Sequence, residues 1–559
     1  MKEETPICLP QLTNDIVTSA RKTRLCAYAV ALEGWRRGLK LKWYTKDSEH
    51  FKDMIVFGVN PPGRLFSLSS DERTHYFFRT RGDKVTNEAV RIGSEKDETK
   101  IWLEKAGVPV PLGRGFLEEN EDEDIVKYGI TLGFPLVLKP TNGSLGNGVI
   151  TNIRSEQELR KAVNYVRHEL EYREVIIEQY VAGEEYRVYV IEDSVIAAYN
   201  RVPANIIGDG VHTVAELIDL KNNQRKKNAR LFSCLIEMDV EIIEFLQSAG
   251  YDLQSVPQKG ELIYLRQKTN VSSGGDPIDV TDDLPEEIKD IAIRAINAVP
   301  GLYHGGVDII INPDKPIEQA AVVIELNPTA QIGGILFPLK GKSRDIPGAI
   351  IDYYFPETKG IDTRGSKVYF DFITALEPLE NRSGIEVEVA PAPKGELYSK
   401  KYTVNGTVHR YSFHQWLKQQ ALDKNMHGFI KNSMYGNIEV VIAGTDKHEV
   451  NNYKNLFYEV PKKKAKVQKV SEEIWKEPIK IGFEISEKYK ISSLKSVDTA
   501  IKKMEKDLKD INKQIIKTEK ENRKIVESNS WKYTRIIRKI GDLIKRVTGT
   551  RKKSSPDVN

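Results

Sequence analysis

Five apolar runs, FPLVLK, VIIEQYV, RVYVIED, GVDIIIN and AVVIELN, lie between residues 134 and 327 and constrain the fold more than any other feature of the chain. Each is strand-length, rich in Val and Ile, and separated from the next by polar or helix-forming sequence. They predict an α/β unit of enzyme size. Four of them carry a single charge, Lys139, Glu178, Asp308 and Glu325. A charge inside a buried strand needs a partner, either from the protein or from a ligand.

At 559 residues the chain exceeds one hydrophobic core, and two to four folded units are expected. Residues 1–90 read as a small N-terminal α/β lobe. From Ser94, SEKDETKIWLEKAG predicts a helix stopped by Gly107 and the prolines after it, opening a unit over 91–360. A further unit over 363–487 shows strands at KVYFDFITAL, IEVEVAP, KKYTVNG and NIEVVIAG, with a helix at SFHQWLKQQALDKN. Over 490–528, Leu494, Val497, Ile501, Met504, Leu508, Ile511 and Ile515 recur at alternating steps of three and four, the seam of a coiled coil or helical hairpin. Residues 529–559 set Ile536, Ile540 and Leu543 against Arg535, Arg538 and Lys539, a basic amphipathic tail.

Charge is uneven along the chain. Residues 494–559 hold 19 Lys/Arg against 9 Asp/Glu, a surplus of ten, whereas the whole chain is only +4. No run approaches the ~20 apolar residues that span a bilayer. Three cysteines, Cys8, Cys26 and Cys234, give neither a disulfide framework nor a thiolate metal site. With a polar, acidic start instead of a secretory signal, the expectation is a cytoplasmic protein, peripheral at the inner membrane face if the tail lies on lipid.

The charged strands sit in suggestive company. PLVLKPTNGSLGNGVI puts Lys139 before a loop with Gly143, Gly146 and Gly148, where backbone could approach phosphate oxygens; an ordinary glycine turn is the competing reading. VIIEQYVAGEEYRVYV offers a polar hinge at Glu178, Gln179, Tyr180 and Val181 against which a base could lie, with Glu178 or Glu185 for ribose hydroxyls; a simple hairpin competes. Asp308, Glu325 and Asn327 form a hard-oxygen set suited to Mg²⁺, with Mn²⁺ as the alternative.

Taken in order, the lysine, glycine loop, acidic hinge, aspartate and ExN resemble the ATP-grasp superfamily. EYRVYVIEDSVIAAYNRVPANIIGDGVHTVAELIDLKN and LRQKTNVSSGGDPIDVTDDL resemble the ligase domain of cyanophycin synthetases and bifunctional glutathione synthetases. The resemblance covers roughly residues 90–356. It implies an ATP- and Mg²⁺-dependent ligase that joins a small-molecule carboxylate, through an acyl phosphate, to an amine. It further implies Lys139 and Lys96 (Lys100 as runner-up) on ATP phosphates, Glu178 to Val181 on adenine and Glu185 on ribose. Asp308, Glu325 and Asn327 would hold metal, with Arg266 beside Asn270 and Ser272 at the acyl phosphate. Arg187, Arg201 and His212 fall where the family gathers substrate contacts, with a structural role equally open. In ELNPTAQIGGILFPLKGKSRD, Ile335 stands where these ligases place a histidine, which implies a different substrate.

Residues 400–444 resemble acylphosphatases, which fold as ferredoxin-like α/β sandwiches. Gly406, Val408, Phe413 and Asn432 match, but His414 stands in place of the phosphate-cradle arginine, with Arg410 of the displaced loop as a candidate substitute. An acylphosphatase-type hydrolase is therefore the alternative function. SNSWKYTRIIRKIG also resembles C-terminal tails of bacterial glycosyltransferases of surface-polysaccharide pathways, which adds a surface-glycan precursor to amino acids as candidate substrates. For the tail, an anionic membrane surface is favoured and nucleic acid is not expected. The seam predicts a homo-oligomer.

Overall fold

The computed structural model describes residues 6–141, 148–433, 437–461 and 464–486, and further on only 508–509, 512–513, 516–518 and 520, which are helical. The expected loop glycines Gly143 and Gly146, nearly all of the 490–528 seam and the whole 529–559 tail lie outside the described residues.

Two antiparallel sheets frame the middle of the chain. The smaller runs Gly113–Phe116, Val175–Gln179, Leu136–Pro140, Ile150–Ile153 in spatial order, covered by the helices Asp122–Leu132 and Glu156–Asn164. The larger runs Asp276–Asp279, Ser194–Val202, Glu184–Ile191, His304–Ile311, Ala321–Asn327. The segment after Gln179 is thus not a hairpin turn. It is a hinge leading from a strand of one sheet to a strand of the other.

The larger sheet is covered on both faces, which explains its near-continuous apolar strands. The helix Glu286–Asn297 packs on one face through Ile288, Ile291, Ala292, Ala295 and Ile296. The other face meets the helices Thr23–Arg36 and Ile346–Tyr354. Every residue of Thr23–Arg36 from Leu25 to Trp35 is buried, Glu33 included, whose carboxylate is held by Arg37 and Thr363. The helix is clamped between the larger sheet and the N-terminal sheet, ordered Glu386–Glu388, Lys40–Tyr44, Leu65–Ser69, Thr74–Phe78, Arg81–Gly82.

That arrangement corrects the boundary expected near residue 363. Of the run KVYFDFITAL only Val368–Tyr369 is strand, and Phe372–Glu380 is a helix capped by Asp371. Phe370, Phe372, Leu376 and Leu379 enter the core of the N-terminal lobe, and Glu386–Glu388 completes its sheet against Lys42, Trp43 and Tyr44. The lobe is therefore built from both flanks of the ligase-like region and does not end at residue 90. The last described unit begins with Tyr398–Thr407, the second strand in the order Lys466–Ile474, Tyr398–Thr407, Ile438–Gly444, His427–Asn432, Phe483–Ser486. The helices Tyr411–Asp423 and Lys447–Glu459 pack on this sheet, giving the expected sandwich.

Candidate active site

Lys139 leaves the smaller sheet beside Glu178 of the neighbouring strand, Nζ to Oε2 at 2.6 Å, and both side chains are buried. Lys100 Nζ reaches the other carboxylate oxygen at 3.6 Å and donates to the carbonyls of Pro111 (2.5 Å) and Gly113 (2.8 Å). Glu178 therefore serves as the shared counter-ion of two lysines. Lys100 is tied to backbone. Burial draws the Lys96 ammonium below its usual range; Glu325 works against that and Lys139 adds to it.

At the hinge, the Gln179 N–H donates to the Leu112 carbonyl and the Tyr180 N–H to Pro135. The Gln179 side chain donates to Leu132. Of the four residues expected around a base, Glu178, Gln179 and Tyr180 thus have these donors or acceptors engaged within the protein. Gly148, the described member of the glycine loop, has φ +71°, a left-handed conformation that explains glycine there.

On the larger sheet, Arg187, Asp308 and Glu325 stand side by side on three adjacent strands. Arg187 donates to Asp308 through Nε (2.5 Å) and Nη2 (2.6 Å), and Arg201 Nη1 donates to the same carboxylate at 2.9 Å. Burial raises the Asp308 pKa, but the two guanidinium groups outweigh it and hold the carboxyl below its usual range. Glu325 is shifted the other way, raised by burial and by Asp308. The Asn327 amide fits its neighbours when its oxygen accepts from Arg187 Nη2 (3.1 Å) and its nitrogen donates to Glu325 Oε1 (3.3 Å).

Two carboxylates and an amide at one sheet end, with the carboxylate farther from the arginines carrying an unfavourable charge, suit a hard divalent cation. Among the described residues no three acidic, histidine or cysteine side chains gather at one point. Magnesium typically takes one or two carboxylates plus substrate phosphate oxygens, and this donor set fits that pattern.

Other expectations are redrawn by the geometry. Glu185 is engaged by Arg201 and the Thr269 hydroxyl, so it belongs with the Asp308 group. Thr269 was not singled out from the sequence; its contact bridges 84 positions and no local pattern signals it. Arg266 is buried against Asp239 (3.1 Å) and Glu241 (3.2 Å), acids at the start of the helix Val240–Ser248, instead of facing the Asp308 row. Asn270 precedes the short turn Val271–Ser273 and accepts backbone N–H groups of Ser273 and Gly275 through its carbonyl, while Ser272 is exposed. His212 is bonded to Asp209 (2.6 Å) in the turn before the helix Val214–Arg225, a local role. Ile335 is a core residue, 2% exposed.

In the last unit, His414 is buried in the helix Tyr411–Asp423, and its Nε2 lies 3.0 Å from the Val408 carbonyl. Burial lowers its pKa, against the effect of that carbonyl. The imidazole thus anchors its own loop and supplies no fixed cation to a phosphate. His409 Nδ1 lies 3.2 Å from Asn432 Oδ1.

These units match known families. Residues 94–248 match the model of the RimK-like ATP-grasp domain and residues 400–485 that of acylphosphatase, so the chain joins an ATP-grasp domain to an acylphosphatase-type domain. Among curated relatives, cyanophycin synthetase of Nostoc sp. (strain PCC 7120 / SAG 25.82 / UTEX 2576) is 35% identical over 332 residues, 59% of this chain and 34% of that protein. The bifunctional glutathione biosynthesis protein of Mannheimia succiniciproducens is 33% identical over 295 residues, 51% of this chain and 38% of that one. The chain thus spans about a third of the length of the curated relatives it matches. The crystal structure of a bifunctional glutathione synthetase from Pasteurella multocida aligns with 53% of this chain and 41% of that one, at 30% identity and TM-score 0.41.

Proposed function

We propose that this chain is an ATP- and Mg²⁺-dependent carboxylate–amine ligase forming an amide or peptide bond. The observation that carries the reading is the placement of the buried Lys139–Glu178 pair on one sheet and of Asp308, Glu325 and Asn327 on the other, the two sheets being joined by the hinge after Gln179, with the Lys96 N–H bonded to the Thr141 carbonyl just after the Lys139 strand. The ATP-grasp domain match and the relatives' names support it. Lys139 and Lys96 would hold ATP phosphates, and the hinge at 180–183 would lie along the base. Asp308, Glu325 and Asn327 would hold the cation, which when bound neutralises phosphate charge in transfer to the carboxylate. Arg187 and Arg201 keep Asp308 ionised and are placed to meet the developing negative charge at the transferred group. The amine then attacks the acyl phosphate, and the amide, ADP and phosphate leave.

Glu325→Gln keeps size and hydrogen-bonding capacity while removing one anionic donor. It should abolish substrate-dependent phosphate release from ATP with unchanged circular dichroism; near wild-type turnover would remove the site from this reading. The hydrolase alternative gains nothing from His414, whose ring is bonded to Val408. Among the described residues no helix is long and apolar enough to cross a membrane. The basic composition of residues 529–559 supports association with anionic lipid, to be checked by co-sedimentation with phosphatidylserine-containing vesicles.

A further inference from the structure

Arg230 is 8% exposed, yet among the described residues no carboxylate meets it. Its Nη1 donates to Cys234 Sγ at 2.8 Å and its Nη2 reaches Gln331 Oε1 at 3.4 Å. A thiol is a weak acceptor, so a guanidinium with five N–H groups is left with two poor partners. The other buried arginines of this region are treated differently: Arg225 holds Asp276, Arg266 holds Asp239 and Glu241, and Arg201 holds Asp308. Taking a cation out of water without an anion is costly. That cost is met when the anion arrives from outside.

The segment carrying Arg230 is held in place. The Asn228 carboxamide accepts from the Arg230 and Leu231 N–H groups (2.9 and 3.0 Å) and donates to the Phe337 and Pro338 carbonyls (3.1 and 3.3 Å). Arg21 donates to the Ala229 carbonyl at 3.1 Å. The side chain runs across Gly333, where a Cβ would lie 2.6 Å from Arg230 Cδ. This loop also leads to the site already described. Ala330, beside Gln331, packs so closely on Gly306 that a Cβ there would lie 2.9 Å from the Ala330 Cβ and 3.3 Å from Arg187 Cδ. The loop therefore runs from Asn327 past Arg187 to Arg230.

We propose that Arg230, positioned by Cys234, Gln331 and Gly333, binds a substrate carboxylate other than the one activated by ATP. This rests on the ligase reading. A guanidinium presents paired N–H groups that match a carboxylate, a geometry a lysine cannot reproduce. The group recognised is a second carboxylate of a dicarboxylic acid or the α-carboxylate of an amino acid supplying the amine.

Calorimetric titration of the full chain with MgADP separates the two sources. One arm compares glutarate with butyrate, the other alanine with alaninamide. The wild type is expected to bind the member bearing the extra carboxylate at least about tenfold more tightly in one arm. Arg230→Gln should erase that preference while binding MgADP as the wild type does, and Arg230→Lys should keep part of it. Gly333→Ala, which displaces the side chain without altering charge, should weaken it too. No preference in either arm, or a preference that survives Arg230→Gln, overturns the proposal. Failure of the wild type to bind MgADP counts against the ligase reading instead, and the same titrations on nucleotide-free protein then decide Arg230.

Discussion

Glu178 shows how a residue type can be legible while its role is not. A carboxylate in VIIEQYV had to have a partner, but nothing local told that the partners are two lysines, 39 and 78 positions earlier. Glu178→Gln would leave Lys139 and Lys100 buried without an anion, and removing one member of a buried pair costs about 3–5 kcal/mol. We expect a lower thermal midpoint, with MgADP restoring more of it in the variant than in the wild type because phosphates would replace the lost charge. His304 gives a pH prediction. It is fully buried between the hydroxyls of Tyr189 (3.1 Å) and Tyr354 (3.0 Å), and burial, with Arg81 and Lys84, lowers its pKa from 6.5 to about 3. Below pH 6.5 the unfolded chain takes up a proton that the folded chain refuses until about pH 3. Its contribution is therefore complete above pH 6.5 and falls with pH by up to about 1.4 kcal/mol per unit. Denaturant titrations between pH 7 and 5 should show a shallower loss of stability in His304→Gln than in the wild type.

The elements of the ATP-grasp region were largely readable, because strand length, apolar content and the glycine and proline stops all agree there. Their arrangement was not. The antiparallel order, and the passage of the chain from one sheet to another after Gln179, depend on pairings far apart in sequence. The same holds for Arg266, whose acidic partners lie 27 and 25 residues upstream, and for KVYFDFITAL, whose aromatic run looks like a strand but is mostly a capped helix. At the hinge, Gly183 has φ +153° and a Cβ there would meet the Ile311 carbonyl oxygen at 2.4 Å. That contact is with backbone and cannot yield by a rotamer change. Gly183→Ala should destabilise the chain by about 1–3 kcal/mol and weaken nucleotide binding, measured by thermal unfolding and MgADP titration.

At the scale of the molecule, the first core joins residues 12–77 to 330–392 around the larger sheet. A chain cut at residue 362 loses Phe370, Phe372, Leu376 and the strand Glu386–Glu388, whereas one cut at residue 395 keeps them. The shorter product should be insoluble or lack a cooperative transition, and the longer one should unfold cooperatively; equal behaviour would contradict the shared core. The sheet that closes this lobe pairs Tyr44 with Glu386, more than 340 residues later. At ribosomal rates of about 5–20 residues per second, that partner emerges roughly 17–70 s after the strand it completes. Until the larger sheet, residues 184–327, has emerged, the helix Thr23–Arg36 lacks one of the two surfaces that bury it, and its own sheet stays open at one edge until Glu386 arrives, so the nascent chain should depend on chaperones far more than refolding of its acylphosphatase-type unit does.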